Sequence, residues 1–123
     1  MSAGSLHDTE CKTVSEILSR IGDKWSVQVV MSLSDGARRF SEIRRAIPDV
    51  SQRMLTLTLR GLERDGLVSR KVTPTIPPRV DYQLTALGRS LQRPVIDLGQ
   101  WASKNLTRIH AARAAFDATS KSG

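Results

Sequence analysis

The residues of this chain best suited to act on a partner are cations gathered along one short segment. Between Ser51 and Asp65 lie Arg53, Arg60 and Arg64, and at ~100° per helical residue they fall within about 40° of one another. Leu55, Leu59 and Leu62 fall on the opposite side. A helix here has one apolar face and one cationic face. The cationic face suits phosphate oxygens, or it is simply solvated, as on any amphipathic surface helix. The second candidate is Cys11, the single cysteine, because a thiolate reacts with oxidants and electrophiles. One cysteine cannot build a disulfide framework within the chain or a cysteine cluster for zinc. His7 and His110 have no metal-ligand spacing, so no metal or other cofactor is expected.

The elements that must position these residues follow from local chemistry. In Ile47-Pro48-Asp49-Val50 the proline lacks a backbone donor and disfavours helix for the residue before it, so one helix should stop near Ile47. Ser51 offers an oxygen to cap the next. Phe40 to Gly66 therefore reads as two helices joined by a turn. Upstream, Val14, Ile17, Leu18 and Ile21 follow i, i+3, i+4, i+7 spacing, predicting a helix over 13–21 stopped by Gly22. Asp23 is placed to cap a further helix from about Lys24 to Leu33, closed by the turn Ser34-Asp35-Gly36. Downstream, Leu67 to Thr73 and Arg79 to Thr85 have the alternating, β-branched pattern of two strands. Between them, Pro74-Thr75-Ile76-Pro77-Pro78 cannot join a ladder and should form a stiff protruding loop. Helix, turn, helix and then a hairpin is the order of a winged helix.

From Ala86 an apolar stripe of Leu87, Leu91, Val95, Leu98, Trp101 or Ala102, and Leu106 recurs every three or four residues, with Pro94 expected to kink or restart the helix. A stripe this long can cover the domain's own core or the same helix of a second copy, and a homodimer is the expectation. Residues 1–10 are expected to be a flexible N-terminal segment and residues 11–109 one domain including the dimerisation helix. Residues 110–123 are expected to be a tail that frays. Trp25 and Trp101 are the two large residues available to fill a core otherwise made of aliphatic side chains.

Charge supports the same placement. The chain of 123 residues carries a formal charge of +7. Residues 38–79 contribute +6 of it, against −2 for residues 1–37 and +3 for residues 80–123. Clustered cations of this kind favour nucleic acid, where counterion release drives binding. No apolar stretch approaches the ~18 residues of a membrane span, and the N-terminus lacks a basic start followed by an apolar run. A cytoplasmic protein without a membrane partner is expected. Nucleophile–base pairs, paired carboxylates and phosphate-binding glycine loops are all lacking, so an enzyme is not expected.

Several fragments together resemble the HxlR family of bacterial transcriptional regulators. They are Cys11 ahead of the first helix, Gly22-Asp23-Lys24-Trp25, Arg39-Phe40-Ser41-Glu42-Ile43, Ile47-Pro48, Ser51-Gln52-Arg53-Met54-Leu55-Thr56, Leu59-Arg60, Leu62-Glu63, Asp65-Gly66-Leu67-Val68, Pro77-Pro78-Arg79-Val80-Asp81-Tyr82, and Leu84-Thr85 with Gly88. The resemblance implies a mainly α fold with a small β-hairpin wing, dimerising through its N- and C-terminal helices. It further implies a regulator, commonly a repressor, that binds palindromic double-stranded operator DNA and answers thiol oxidants, electrophiles or another small-molecule inducer. Carried over by position, Ser51 to Asp65 is the recognition helix, Arg79 lies on the wing and Cys11 matches the sensing cysteine. Two departures stand out: Lys12 follows the cysteine where proline is common, and Leu57 and Thr58 stand where a polar side chain is common.

In helix–turn–helix geometry the N-terminal part of the recognition helix approaches base edges, which makes Gln52, Arg53 and Thr56 the candidate readers. Gln52 suits adenine and Arg53 guanine, although either also suits phosphate. Leu57, near the arginine face, could meet a thymine methyl. Arg60 and Arg64 are placed for the DNA backbone, as are Ser41, Arg44, Arg45 and Ser51. Arg79, beside its prolines, is placed for an adjacent minor groove or phosphate. The competing reading is a winged-helix module, without a redox switch, that binds DNA regardless of sequence or binds RNA or a protein.

Overall fold

A computed structural model describes residues 8–122, with side-chain surroundings for residues 11–120. Its order is α1 (Asp8–Ile21), α2 (Lys24–Ser32), β1 (Arg38–Arg39), α3 (Phe40–Ala46), α4 (Gln52–Arg64), β2 (Val68–Thr73), β3 (Arg79–Leu84), α5 (Ala86–Lys104) and α6 (Leu106–Ser122). The mainly helical architecture with a small antiparallel wing is the one expected.

Helix α1 begins at Asp8, ahead of the first apolar position of its stripe. Of the segment expected to be flexible, residues 8–10 are thus helical, and residues 1–7, including His7, lie outside the described residues. Asp23 caps α2 through Oδ1, which accepts from the backbone N–H of Trp25 at 2.8 Å and of Ser26 at 3.3 Å. The N–H of Arg39 donates to Glu42 Oε1 at 2.9 Å, which satisfies one backbone donor at the start of α3.

The core forms where α2, α3 and α4 meet the base of the sheet. Val29 and Val30 of α2, Ile43 of α3, and Leu55, Leu59 and Leu62 of α4 are all buried, joined by Val68 and Leu84 at the paired ends of the wing strands. Ile47 and Val50 bracket the turn between α3 and α4 and are also buried, which fixes the angle between those helices from inside. Trp25 packs against this cluster, but Trp101 is exposed and fills no core.

The sheet has three strands in the order β1-β3-β2, one more than the hairpin predicted. Strand β2 pairs with β3 from Val68↔Leu84 to Thr73↔Arg79. Strand β1 adds Arg38↔Tyr82 and Arg39↔Asp81 on the other edge of β3. Two residues carry no alternation pattern, so the sequence held no period by which to find β1.

At the base of the wing, Thr85 Oγ1 donates to the Gly66 carbonyl at 2.6 Å and accepts from the Gly88 N–H at 3.0 Å. One hydroxyl therefore joins the end of the α4–β2 turn to the first turn of α5. Gly66 has φ of 76°, a left-handed conformation that glycine adopts without strain.

The chain divides into two compact units, one ending at Gln92 and the other beginning at Arg93. In the second, Arg93 pairs with Asp97 at 3.3 Å, and the break between α5 and α6 falls at Asn105, whose side chain donates to the Trp101 carbonyl at 2.8 Å. Pro94 lies within α5 without ending it. Residues from His110 onward, expected to fray, are helical to Ser122, in keeping with the helix propensity of their alanines. No helix among the described residues is long and apolar enough to cross a membrane.

Candidate nucleic-acid interface

Helix α4 displays the two faces expected of it. Its N-terminus is set by Ser51, whose Oγ accepts from the Met54 N–H at 3.1 Å. Leu55, Leu59 and Leu62 are buried, whereas Gln52, Arg53, Thr56, Arg60 and Arg64 are exposed. Thr58 is buried on the core side, which removes it from any role at the surface. Thr56 is exposed, but its hydroxyl donates to the Gln52 carbonyl at 2.9 Å. That hydrogen bond leaves the Thr56 methyl and oxygen lone pairs, and no donor, for a partner.

The carboxylates sort the cations into two groups. Arg20 pairs with Asp65 at 3.5 Å, Arg70 lies 4.0 Å from Glu63, Arg79 pairs with Asp81 at 3.1 Å and Arg93 with Asp97 at 3.3 Å. By contrast, Arg44 and Arg45 on α3 and Arg53, Arg60 and Arg64 on α4 have no carboxylate within 4.0 Å among the described residues. All five are exposed. In a chain with twelve acidic residues, this leaves a run of cations whose field is not neutralised locally, the arrangement that attracts polyanions.

Several of these groups border open depressions. An open depression between α3 and α4 is lined by Ser41, Arg44, Arg45 and Gln52, together with Phe40 and Pro48. A second depression, lined by Arg39, Phe40 and Ser41, continues to Thr75, Ile76, Pro77, Pro78, Arg79 and Val80 of the wing. Ser41 belongs to both and so links the helix pair to the wing tip. Further along α4, on the side that carries Gln52, Thr56 and Arg60 border a hollow shared with Glu63, Arg70 and Tyr82. Of the expected residues, Ser41, Arg44, Arg45, Gln52, Thr56, Arg60 and Arg79 line these three depressions, whereas Ser51, Arg53 and Arg64 line none of them.

Arg79 differs from the five arginines of α3 and α4 because Asp81 holds its Nε, which orients the guanidinium and offsets part of its charge. Arg39 and Arg70 also border these depressions, although neither stands among the expected contacts. Alternation along β2 places Arg70 and Lys71 on opposite faces of the sheet. The loop tip itself is ordered by Thr75, whose Oγ1 donates to the Pro77 carbonyl at 2.8 Å.

Cys11 is a free, half-buried thiol on α1, away from this arrangement in sequence. Its helix nevertheless reaches α4. The Arg20 guanidinium rests where a side chain at Gly61 would stand, with Nη1 only 2.5 Å from the position of an added Cβ. Among the described residues no group of His, Cys, Asp or Glu gathers as a metal site would require.

Comparison with known proteins gives this geometry a context. Residues 20–110 match the family model described as HxlR-like helix-turn-helix. An HTH-type transcriptional regulator, YdeP of Bacillus subtilis, is 42% identical over 117 residues, covering 95% of this chain and 91% of the relative. The redox regulator HypR in its reduced form superposes with a TM-score of 0.74 at 41% identity, covering 80% of this chain and 98% of that structure. Diamide-treated YodB from B. subtilis gives a TM-score of 0.67 at 33% identity, covering 80% and 94%. A match this long and this similar establishes that the chain belongs to the HxlR-like helix-turn-helix family of transcriptional regulators.

Proposed function

We propose that the protein is a sequence-specific repressor that binds a palindromic double-stranded operator as a homodimer. Helix α4 enters the major groove with Gln52, Arg53 and Thr56 toward base edges. Ser41, Arg44, Arg45, Ser51, Arg60 and Arg64 engage the DNA backbone, and the wing brings Arg79 to the neighbouring minor groove or phosphate. The observation that carries this reading is the set of five exposed arginines on α3 and α4 without carboxylate partners among the described residues. Exposed Leu98, Trp101, Leu106 and Phe116 on α5 and α6 support a second copy as partner, because so much apolar surface on a chain of this size favours association.

The same proposal assigns Cys11 as a thiol switch. Relatives described as HypR in reduced and oxidised forms and as diamide-treated YodB support it. Oxidation joins two Cys11 thiols of a dimer, or Cys11 and a small thiol, into a disulfide, while diamide takes up the two hydrogens released. The altered separation of the two α4 helices then changes operator affinity.

The test is selection from random duplex DNA followed by footprinting. The expected result is an inverted repeat whose half-sites are centred about one helical turn, ~34–36 Å, apart. Uniform coating without a selected sequence would overturn the reading in favour of non-specific binding.

A further inference from the structure

On α4 the cationic face is interrupted by a leucine. At ~100° per residue Leu57 stands within about 20° of Arg64 and 40° of Arg53, and about 160° from Leu55 of the core. It is 48% exposed. About half of its apolar surface therefore remains in water, where it gains nothing from burial. Solvation alone would favour a polar side chain there, and arginines to either side make the surface suited to a polyanion.

What an apolar group among arginines can meet on DNA is narrow. Phosphates, sugars and most base-edge atoms of the major groove are polar or charged. The exception on the groove floor is the C5-methyl group of thymine. Thr56, next in the helix, has its hydroxyl committed to the Gln52 carbonyl, so the centre of the face offers no hydroxyl donor to a base edge. Met54, the other exposed large apolar residue of α4, lies about 100° from Arg53, at the margin of the face.

We infer that Leu57 reads a thymine methyl in each half-site, so that sequence is recognised at that base pair by apolar contact and not by hydrogen bonding. The inference rests on the proposal that α4 enters the major groove. It specifies an A·T pair with its thymine on the strand facing Leu57, and it predicts that 5-methylcytosine at that position is accepted better than cytosine.

The experiment uses the full chain and the operator recovered by selection. Each thymine is replaced singly by deoxyuridine, which removes the methyl and keeps base pairing. Loss of one buried methyl is expected to weaken binding about fourfold per half-site, from about 0.8 kcal/mol at 1.4 kcal/mol per tenfold, at one thymine position in each half-site. Leu57→Ala should bind the thymine and deoxyuridine operators equally, while Met54→Ala should keep the discrimination. Because Leu57 is exposed, Leu57→Ala should unfold at the wild-type temperature, which distinguishes weakened DNA reading from a damaged fold. Equal wild-type affinity for every deoxyuridine operator, or discrimination that survives Leu57→Ala, would overturn the inference while leaving operator binding intact. Failure to select any operator would instead overturn the DNA-reading proposal beneath it.

Discussion

The guanidinium of Arg20, on α1, occupies the space that a side chain at Gly61 of α4 would fill. Its Nε stands 3.5 Å from the Asp65 carboxylate at the end of that helix. A residue without a Cβ thus lets the thiol-bearing helix rest on the helix that carries the cationic face. Placing alanine at Gly61 displaces only the far end of a flexible side chain, and it gains about 0.5–1 kcal/mol of helix propensity. The partly exposed ion pair it disturbs contributes about 0–1 kcal/mol. Gly61→Ala should therefore change stability by no more than about 1 kcal/mol. Arg20→Ala should cost up to ~1 kcal/mol in the wild-type background and nothing in the Gly61→Ala background. A double-mutant cycle by urea unfolding measures this coupling, and purely additive effects would show that the contact carries no energy.

Cations without acidic partners should behave differently from those already neutralised. Replacing Arg44 or Arg45 by alanine should weaken DNA binding on all sequences alike and lower the salt dependence by about one unit of slope per phosphate contact. Arg93→Ala, which removes a cation paired with Asp97, should leave the slope unchanged. Fluorescence anisotropy titrations across a salt series decide between the two behaviours.

Arg53 tests base reading against backbone binding. If it reads a base edge, Arg53→Ala should cost ~1–3 kcal/mol on the selected operator and relax specificity at one base pair. An equal loss on every sequence would make it a phosphate contact. A competition experiment with operators altered one base pair at a time distinguishes these outcomes.

At the base of the wing, a Cβ on Gly88 would collide with the Leu67 carbonyl oxygen and stand 3.2 Å from Leu84 Cδ2. The carbonyl belongs to backbone and cannot swing away. Gly88→Ala should destabilise the fold by about 1–3 kcal/mol, as overpacking does, and lower the melting temperature by several degrees in a thermal scan. An unchanged melting temperature would mean that α5 is not seated against Leu67, just ahead of β2, in this way.

Diamide should change operator affinity for the wild-type protein and have no effect on Cys11→Ser. Non-reducing electrophoresis should show a cross-linked species only in the wild type if two copies join through Cys11, and a mass increase on the single chain if a small thiol is captured. Identical DNA binding by the two proteins before and after diamide would remove Cys11 from regulation.

Much of this arrangement was legible before the structure, for identifiable reasons. The α3–α4 unit was readable because Pro48 and Ser51 are strong local signals and because Leu55, Leu59 and Leu62 repeat at helical spacing. The wing was readable because three prolines interrupt two alternating runs. Strand β1 was not, since two residues have no period and their pairing with Tyr82 and Asp81 is a long-range event. The seating of Arg20 on Gly61 was equally hidden: a glycine inside a helix signals a close approach without naming what approaches. Trp101 has the size of a core filler but also belongs to the apolar stripe of α5, and its exposure excludes the first of these roles. The sorting of arginines into paired and unpaired groups needed distances, because no pattern in the chain distinguishes Arg79, held by Asp81, from Arg53.

Strand β1 ends at Arg39 and α3 begins at Phe40, with no residue between them. The sheet therefore pulls directly on the first of the two cationic helices, and the buried Ile47 and Val50 pass that constraint on to the second. Wing, α3 and α4 are thus joined along the backbone and through shared buried side chains. Under the proposed function, parts joined in this way would keep the spacing of their cationic groups when DNA binds, and a signal would act by repositioning one copy relative to another.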